Sequence, residues 1–547
     1  MAGTDSTYSA GQRDSVPAAL ARAVAERPDA IFVDIDGDRL SFAEADRLST
    51  RFANRLSQLG LSKGDCLVTL CETGIDPLVA WLATAKLGAI WVPINLAYRR
   101  EFLRHQICDT GARILLCDPA YLDRIVEIAD QLPLVERVLC RSDEAELVGS
   151  LRVDPLDHGE DDRPLAVDVA PSDIAMLLYT SGTTGPSKGC MLSHNCLGMW
   201  GRQQQRAIGL APGKNILAPL PLFHSAAIST LMSGIIAQAS VVLPRKFSVT
   251  SFWADVERSG ATHLFLMATM FPLLAFAPDD AAMKRCFGQV ELLMGVPCPP
   301  DIRRIFEQRF GVAHVLPAMY GQTEALRLTM VTLGQEAPDH SIGPAADEFD
   351  LAILDANDCP VPPGAVGEIC CRPRHPNIMF EGYWNRPEET AKVWRNLWMH
   401  TGDLGRRDEA GFFYFVDRAK DYLRSRGENV SSFEVEQTFL GHPAILEAAL
   451  HPASPGVVED DIKITLVLKA EAALTEQELC LWAIDNLPYF AVPRYYEFRR
   501  ELVKNPTGRV LKYKLREEGV TPTTWDREAA GIRVGRSSRA PQTARAS

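Results

Sequence analysis

Hydrophobic and polar positions in the first third of the chain alternate between helical and strand-like patterns. Ser41 followed by Glu44 has the form of a capping box, and apolar positions then recur at helical spacing until Gly60. A short apolar run predicts a strand over Cys66–Leu70. Helices are predicted at residues 77–87 and 101–109, and strands at residues 89–94 and 112–117. This βαβα order predicts an α/β fold with a mostly parallel sheet covered by helices.

One apolar stretch is long enough to raise the question of a membrane span. Residues 215–244 contain no Asp, Glu, Lys or Arg, but prolines, serines and a histidine interrupt them. We therefore predict a buried element of a large α/β core and no integral membrane segment, with peripheral membrane contact as the alternative. The polar N-terminus lacks the basic start and apolar run of a secretory signal, which favours a cytoplasmic location.

Composition narrows the range of partners. The 547 residues carry a formal charge of −13, so the chain has no global electrostatic reason to bind nucleic acid. The thirteen cysteines include no Cys-x-x-Cys pair and no spacing typical of a zinc site. Cys66, Cys71, Cys370 and Cys371 are predicted to be core residues in a reducing compartment.

The last quarter of the chain differs from the rest. Near Asp403 the composition shifts, and a charged run follows a short aromatic strand. We predict a large N-terminal domain over residues 1–419 and a small α+β domain over residues 420–519, with helices near 432–440 and 475–487. Few large apolar residues follow Gly519, so residues 520–547 are predicted to form a disordered tail.

The most informative local feature is the segment LLYTSGTTGPSKG, residues 177–189. It offers hydroxyl groups, backbone N–H groups and one cation directly after an apolar strand, which suits a polyphosphate better than a generic surface turn. The ordinary P-loop is excluded because Lys188 is followed by Gly189 rather than Ser or Thr. The residues predicted to contact phosphate are Thr180, Ser181, Gly182, Thr183, Thr184, Gly185 and Lys188.

This loop resembles the signature of the adenylate-forming superfamily, which includes acyl-CoA synthetases, nonribosomal peptide adenylation domains and beetle luciferases. Further segments occur in the family's order from Tyr179 to Arg509, and the overall pattern is most similar to bacterial ligases of the carnitine/crotonobetaine-CoA type. The resemblance implies a multi-subdomain N-terminal domain with mostly parallel sheets and a small mobile C-terminal domain. It also implies ATP, Mg²⁺ and CoA as ligands.

The segment AMYGQTEA contains a flat ring, a hydroxyl group and a hard oxygen ligand. By resemblance, Tyr320 stacks on the adenine, Thr323 contacts the α-phosphate and Glu324 holds magnesium. Gly321 is assigned to the same nucleotide site. In HTGDLG, residues 400–405, Asp403 stands in a glycine-flanked turn and is assigned to the ribose hydroxyls. The residues given catalytic roles by resemblance are Lys188, Thr323, Glu324 and Arg509.

Two segments are candidates for the acid pocket. MGVP, residues 294–297, resembles a glycine-rich turn beside adenine and the acyl pocket, with Met294 and Gly295 as the candidate contacts. Met294 is bulkier than the residue usual in relatives, so an altered pocket floor and an ordinary core side chain both stay open. His224, in PLFHSAA, is either a gate of the acyl channel or a core histidine.

The remaining motif residues are assigned to domain motion and the second half-reaction. In DRAKD, residues 417–421, Arg418 is implied to reach ribose or phosphate and Lys420 to be the hinge; a solvated charge cluster is the alternative. Gly427 lets a loop approach the active site in relatives. Arg509 departs from the family, which carries lysine there, so adenylation could persist through bidentate contacts or be slowed.

The resemblance implies an ATP-dependent acyl-CoA ligase that forms an acyl-adenylate and releases AMP and pyrophosphate. The alternatives are an enzyme that loads an acyl carrier protein and a nucleotide-binding homologue with degraded catalysis. The sequence does not identify the carboxylic acid. It also leaves the oligomeric state open, with a homodimer among the options.

Overall fold

The computed structural model describes residues 13–142, 145–148, 151–180, 187–267, 270–296, 298, 300–418, 423–426, 428–430, 432–454, 461–470, 472–503, 510 and 512–535. The chain divides into two compact units. The first comprises Met1–Ile94, Cys108–Leu178 and Gly189–Asp417, and the second comprises Asn95–Ile107, Tyr179–Lys188 and Arg418–Ser547. Helices α1–α15 and strands β1–β29 are numbered in chain order over the described residues.

Local sequence signals mark the ends of some helices. The side chain of Ser41 accepts a hydrogen bond from Glu44 N, which completes the predicted capping box of α2, and Gly88 ends α3 with a left-handed φ of 64°. The helices are α1 (Val16–Glu26), α2 (Phe42–Gln58), α3 (Ile75–Leu87), α4 (Arg100–Thr110), α5 (Leu122–Val126), α6 (His194–Ile208), α7 (Ser225–Ala237), α8 (Phe252–Ser259), α9 (Met270–Ala275), α10 (Ala281–Arg285), α11 (Pro300–Arg309), α12 (Pro387–Val393), α13 (Ser432–Leu440), α14 (Glu476–Asn486) and α15 (Lys512–Glu518).

An eight-stranded sheet contains the βαβα region. Its central strands are parallel, which confirms the sequence prediction, and the pair of short strands at residues 146–148 and 151–155 on one edge is antiparallel. The predicted core cysteines Cys66 and Cys71 are buried here. In spatial order the strands are β10 (Lys188–Ser193), β9 (Ile174–Thr180), β4 (Ile90–Pro93), β3 (Cys66–Leu70), β5 (Ile114–Cys117), β6 (Arg137–Cys140), β8 (Leu151–Pro155) and β7 (Glu146–Val148).

A seven-stranded sheet contains the charge-free stretch 215–244. That stretch forms β11, the almost wholly buried α7 and β12, which confirms the predicted core element. No helix among the described residues has the length and apolarity needed to cross a bilayer. In spatial order the strands are β15 (His314–Leu316), β14 (Leu292–Val296), β13 (His263–Met267), β11 (Asn215–Leu217), β12 (Ser240–Val242), β1 (Ile31–Ile35) and β2 (Asp38–Ser41).

Two antiparallel sheets complete the first unit and carry most of the candidate site. One is the hairpin of β16 (Met319–Gln322) and β17 (Ala325–Met330). The other holds Cys370 and Cys371, which are buried as predicted. Its strands are, in spatial order, β18 (Gly343–Pro344), β23 (Phe412–Arg418), β22 (Trp398–Arg407), β20 (Gly367–Pro373) and β19 (Phe349–Leu354), and β21 (Trp394–Arg395) pairs with β22.

The C-terminal part of the second unit is a small α+β assembly, as the sequence predicts. Helices α13 and α14 occur where they are expected, and the apolar run near residue 464 forms a central strand. The strands are the hairpin of β24 (Leu423–Ser425) and β25 (Glu428–Val430), and the sheet of β26 (Ile445–Ser454), β27 (Asp461–Leu468), β28 (Tyr495–Arg499) and β29 (Trp525–Asp526).

The prediction of a disordered tail from residue 520 is wrong for its first part. Residues 520–535 contain β29, in which Trp525 pairs with Tyr496. Arg527 is 2% exposed and donates hydrogen bonds to Pro493 O and Ile532 O, both at 3.0 Å. Composition misled the prediction because one aromatic ring and one buried arginine anchor a segment that is otherwise poor in apolar residues. Residues 536–547 lie outside the described residues.

Candidate active site

The β16–β17 hairpin brings three of the predicted site residues together. Tyr320 lies on β16, and Thr323 and Glu324 form the connection to β17. A Cβ atom at Gly321 would lie 1.9 Å from Leu326 O, so the hairpin can close only with glycine at this position. The sequence AMYGQTEA therefore forms a tight hairpin with Glu324 at its turn.

Tyr320 and Asp403 are joined by a direct hydrogen bond. The phenol Oη of Tyr320 donates to Asp403 Oδ2 at 2.7 Å, although 83 residues separate the two. Tyr320 is half-buried, and its ring centroid lies 6.3 Å from that of Phe415. The two residues that resemblance assigns to the adenine and the ribose are thus neighbours.

Asp403 lies in a bulged strand, which corrects the predicted glycine-flanked turn. Residues 401–403 of β22 face Ile369 alone, because the pairing shifts between Glu368 and Cys370. Gly402 takes the left-handed φ of +75° that this bulge requires. Asp403 is 5% exposed, and its backbone N–H donates to Thr401 Oγ1 at 3.1 Å. The bulge therefore changes the direction of the Asp403 side chain relative to that of a regular strand.

Glu324 is 7% exposed and has a buried tyrosine as its partner. Tyr383 Oη donates to Glu324 Oε1 at 2.7 Å. Burial of Tyr383, together with the charge of Glu324, raises the pKa of its phenol far above the ordinary value, so Tyr383 stays a hydrogen-bond donor. This bond fixes one carboxylate oxygen, and a carboxylate has further lone pairs to offer a ligand.

Gly295 lies within β14, so the predicted glycine-rich turn at residues 294–297 is a strand as far as Val296. A Cβ atom at Gly295 would lie 2.3 Å from Leu266 O and 2.6 Å from Phe271 Cζ. Met294 is 3% exposed and packs in the main core. Close packing against Leu266 and Phe271 therefore explains why residue 295 is a glycine, and Met294 occupies a core position.

His224 is the N-cap of α7, a role that the sequence did not suggest. Its Nδ1 accepts a hydrogen bond from Ala226 N at 3.3 Å, and its side chain is half-buried. Because Nδ1 serves as the acceptor, Nε2 is the ring nitrogen left to carry a proton in the neutral ring. The predicted contact with the acid stays a prediction.

Within the second unit, Thr180 ends β9 and Lys188 begins β10 on the two sides of the glycine-rich segment. His105 Nε2 lies 3.0 Å from Ser187 O, and Gln106 Nε2 donates to Ser187 Oγ at 3.1 Å. Helix α4 therefore holds the residue that precedes Lys188.

Several predicted site residues lie outside the described part of the chain. The backbone of Arg418 ends β23, but its side chain is not among those described. The roles predicted for all these residues stay predictions. The residues outside the description are Ser181, Gly182, Thr183, Thr184, Gly185, Lys420, Gly427 and Arg509.

Sequence reasoning missed two residues that contact the site. Tyr383 follows a glycine in an irregular segment, and nothing in its surroundings links it to Glu324 before the chain folds. Thr401 stands two residues before Asp403, and its hydroxyl donates to Ile369 O at 2.6 Å while accepting from Asp403 N. Thr401 lies inside the HTGDLG segment that contains Asp403, so the sequence did contain a signal that could have identified it.

The structure also assembles a cluster that no cysteine or histidine spacing revealed. Ligand-type atoms of Glu368, Cys370 and His400 lie within 4.8 Å of one another. Arg395 Nη2 lies 2.9 Å from His400 Nδ1, and its positive charge opposes a cation at that point. Burial raises the pKa of the Cys370 thiol strongly, which disfavours a thiolate ligand. The cluster is best described as a buried hydrogen-bond network.

Comparison with known proteins gives matches over most of the chain. Residues 20–384 match the family described as AMP-binding enzyme, and residues 434–509 match the AMP-binding enzyme C-terminal domain. The crotonobetaine/carnitine–CoA ligase of Escherichia coli O157:H7 is 30% identical over 489 residues, covering 88% of this chain and 93% of the relative.

Solved structures extend the likeness to the fold. ATP-bound MatB from Rhodopseudomonas palustris is 27% identical with a TM-score of 0.64, covering 92% of this chain and 98% of that chain. A double mutant of o-succinylbenzoate CoA synthetase from Bacillus subtilis has a TM-score of 0.77 at 23% identity, with the same coverage, and shows the fold alone. The sequence match and the hairpin that carries Tyr320 and Glu324 lead to one conclusion: this chain belongs to the AMP-binding enzyme family.

Proposed function

We propose that this protein is an AMP-forming acyl-CoA ligase that activates a carboxylic acid as an acyl-adenylate and transfers the acyl group to CoA. ATP and CoA are substrates of the AMP-forming CoA ligases in its family. The observation that best supports the proposal is the hydrogen bond between Tyr320 and Asp403, because it places a flat ring beside a buried carboxylate. A ring for the base and an acceptor for the ribose are what an adenosine nucleotide needs.

In the proposed first half-reaction, the carboxylate of the acid attacks the α-phosphorus of ATP and pyrophosphate leaves. Both reactants are anions, so the chain must position them and neutralise their charge. Tyr320 stacks on the adenine, and Asp403 accepts hydrogen bonds from the ribose. Thr323 donates to the α-phosphate, and Lys188 supplies a positive charge.

Mg²⁺ is the metal implied for the phosphates, and Glu324 fits it. A carboxylate is a hard oxygen ligand, and the donor Tyr383 fixes one of its oxygens at 2.7 Å. When bound, Mg²⁺ would neutralise phosphate charge. The part played by this chain is to hold the Glu324 carboxylate at the hairpin turn.

In the proposed second half-reaction, the thiol of CoA attacks the acyl carbonyl and AMP leaves. We assign the loop around Gly427 to this step. A rotation about Lys420 would change the protein from the first half-reaction to the second, and the domain boundary would lie between residues 419 and 420. We also propose that Arg509 supports adenylation in place of lysine, since a guanidinium keeps the charge and can bind carboxylate and phosphate bidentately.

The deciding experiment measures AMP formation across a panel of carboxylic acids, with and without CoA, for the wild type and Arg509→Lys. We expect CoA-dependent AMP formation by the wild type. Turnover that needs a carrier-protein thiol and leaves CoA unconsumed would indicate the carrier-loading alternative. A silent wild type beside an active Arg509→Lys variant would indicate a degraded homologue and contradict the proposal.

A further inference from the structure

A two-residue connection between β24 and β25 begins with a residue in an unusual conformation. Ser425 pairs with Glu428, so residues 426 and 427 join the paired ends of the two strands. Arg426 has a left-handed φ of 53°. Asn, Asp and Gly usually occupy this position in such short connections, because a longer side chain carries a steric cost at positive φ. An arginine held in this conformation points to contacts outside the hairpin.

The guanidinium of Arg426 makes such contacts with two distant parts of the chain. Its Nη1 donates to Val534 O at 2.5 Å and to Tyr489 O at 3.4 Å. Its Cζ lies 6.0 Å from the centroid of the Tyr489 ring, at the outer limit of a cation–π contact. The side chain is half-buried, so these bonds are partly shielded from water. The side chain thus ties the hairpin to residues 63 and 108 positions further along the chain.

The segment that offers Val534 O is fixed by bonds of its own. The guanidinium of Arg527, which is 2% exposed, donates to Pro493 O and Ile532 O, both at 3.0 Å. Ile532 N in turn donates to Arg527 O at 2.8 Å. Val534 itself is 9% exposed. The carbonyl of Val534 is therefore a fixed acceptor, against which the guanidinium of Arg426 is held.

The position of Arg426 in the chain relates this contact to the second half-reaction. Arg426 directly precedes Gly427, whose loop the proposed function assigns to the attack by CoA. A hydrogen bond from a charged donor to a fixed carbonyl restricts the torsion angles of Arg426, and with them the direction in which the chain continues. Catalytic rates are sensitive to such placement, since an error of about 1 Å can cost about a hundredfold.

We propose that Arg426 is a positioning residue for thioester formation and that the segment around Val534 acts on this step through it. This inference rests on the proposed function and adds a determinant of its second half-reaction. Arg426 acts without a bond to a reacting group, because it fixes the start of the loop at Gly427. The first half-reaction does not use that loop and should proceed without the contact.

The test replaces Arg426 with a residue that suits the turn but cannot reach the acceptor. Arg426→Asn creates the Asn-Gly sequence that two-residue hairpins favour, and its side chain is too short to bond Val534 O. Single-turnover measurements follow the two half-reactions separately, with the carboxylate that the wild type turns over fastest. We expect the burst of pyrophosphate from Mg·ATP without CoA to stay within about twofold of the wild type. Conversion of the preformed acyl-adenylate to acyl-CoA, started by adding CoA, should be about tenfold slower.

Truncation removes the acceptor instead of the donor. A chain that ends at Ile532 lacks Val534 but keeps β29 and the bonds of Arg527, and we expect it to slow acyl transfer to CoA about tenfold as well. Because the two changes break one contact, Arg426→Asn in the truncated chain should be no slower than either change alone. The matched control ends at Gly535, keeps the contact and should transfer acyl groups at the wild-type rate.

Other roles of Arg426 predict different results. A role confined to the stability of the turn predicts normal acyl transfer in Arg426→Asn. Direct binding of CoA by Arg426 predicts a loss that the truncated chain does not share. Either result, or equal losses in both half-reactions, would overturn the inference and leave the ligase intact.

Hydrogen exchange of the β24 and β25 amides tests the contact without turnover. Exchange should be faster in the chain that ends at Ile532 than in the control that ends at Gly535, and equal exchange would overturn the contact. A wild type that releases pyrophosphate but leaves CoA unacylated would overturn the proposed function, and this inference with it.

Discussion

At the scale of single residues, the candidate site depends on pairs in which a tyrosine hydroxyl orients a carboxylate. Tyr320 donates to Asp403, and Tyr383 donates to Glu324, both at 2.7 Å. Hydrogen bonds to a charged group are short and about twice as strong as those between neutral groups. Each pair therefore holds a carboxylate in place before any ligand binds. Because these side chains are already ordered, ligand binding costs less conformational entropy of the protein.

Tyr320 permits a test that separates its ring from its hydroxyl. Tyr320→Phe keeps the ring and removes the bond to Asp403, so we expect the KM for ATP to rise about three- to tenfold. Tyr320→Ala also removes the stacking surface, worth about 1–3 kcal/mol per base, and should raise the KM about a hundredfold. Pyrophosphate release at varied ATP concentration gives both values.

The matched control is Tyr414→Phe. Tyr414 Oη donates to Asp408 Oδ2 at 2.9 Å, so this variant removes a similar tyrosine–aspartate bond from β23. We expect no change in the KM for ATP from it. Equal effects of the phenylalanine variants at positions 320 and 414 would contradict a nucleotide site at Tyr320.

At the scale of elements, β29 shows how a short segment can complete a sheet. It adds an edge to β28, where the Trp525 ring meets the fully buried Tyr496 at a centroid distance of 5.7 Å. Arg494 Nη2 donates to Asp526 Oδ2 at 3.0 Å on the same edge. The segment therefore covers a strand that would otherwise expose an aromatic core residue and unpaired backbone groups.

Deletion of residues 520–547 should destabilise the C-terminal α+β assembly by about 3–5 kcal/mol, because it exposes Tyr496 and removes the buried Arg527. Hydrogen exchange in β27 and β28 measures this loss locally. The control deletion removes only residues 536–547, and we expect it to leave exchange in these strands unchanged. Equal protection in the two truncated chains would show that β29 contributes little.

At the scale of the whole molecule, each of the two compact units contains a histidine that is buried in its neutral form. Burial lowers the pKa of His194 in the first unit and of His451 in the second to about 4. Val16 N donates to His194 Nδ1 at 3.3 Å, a bond that protonation would break. His451 Nε2 lies 2.9 Å from Thr465 Oγ1. Both units therefore lose stability when these rings are forced to take up protons.

The direction in which stability changes with pH follows from the lowered pKa values of these two histidines. An unfolded histidine titrates near pH 6.5, so the stabilising effect of a neutral buried ring is complete above that pH and is lost as the pH falls toward 4. We expect the free energy of unfolding to fall by a few kcal/mol over this interval. Urea unfolding at pH 7, 6, 5 and 4 measures the change.

His194→Gln and His451→Gln should each make the pH dependence shallower over this interval. His314→Gln, at an exposed position on β15, is the control and should leave it unchanged. Unfolding that is equally pH-dependent in all three variants would show that the buried rings do not cause the loss.

Local sequence determined much of the secondary structure and the family. Capping at Ser41, the stop at Gly88 and the apolar run of β3 are signals read within a few residues, so periodicity and turn chemistry suffice to predict them. The motif around Tyr320 and Glu324 and the glycine-rich segment near Lys188 were also readable, because residue type and spacing within one loop carry the chemistry.

Only the tertiary structure decided which of these residues meet. Tyr320 reaches Asp403 across 83 residues and Glu324 reaches Tyr383 across 59, because sheet topology sets such contacts and no local pattern encodes it. The anchored segment after Gly519 became visible only through burial. Burial is a property of the packed molecule. The local sequence therefore determines the secondary-structure elements and the motifs, whereas packing determines which residues contact one another and which charged groups are buried.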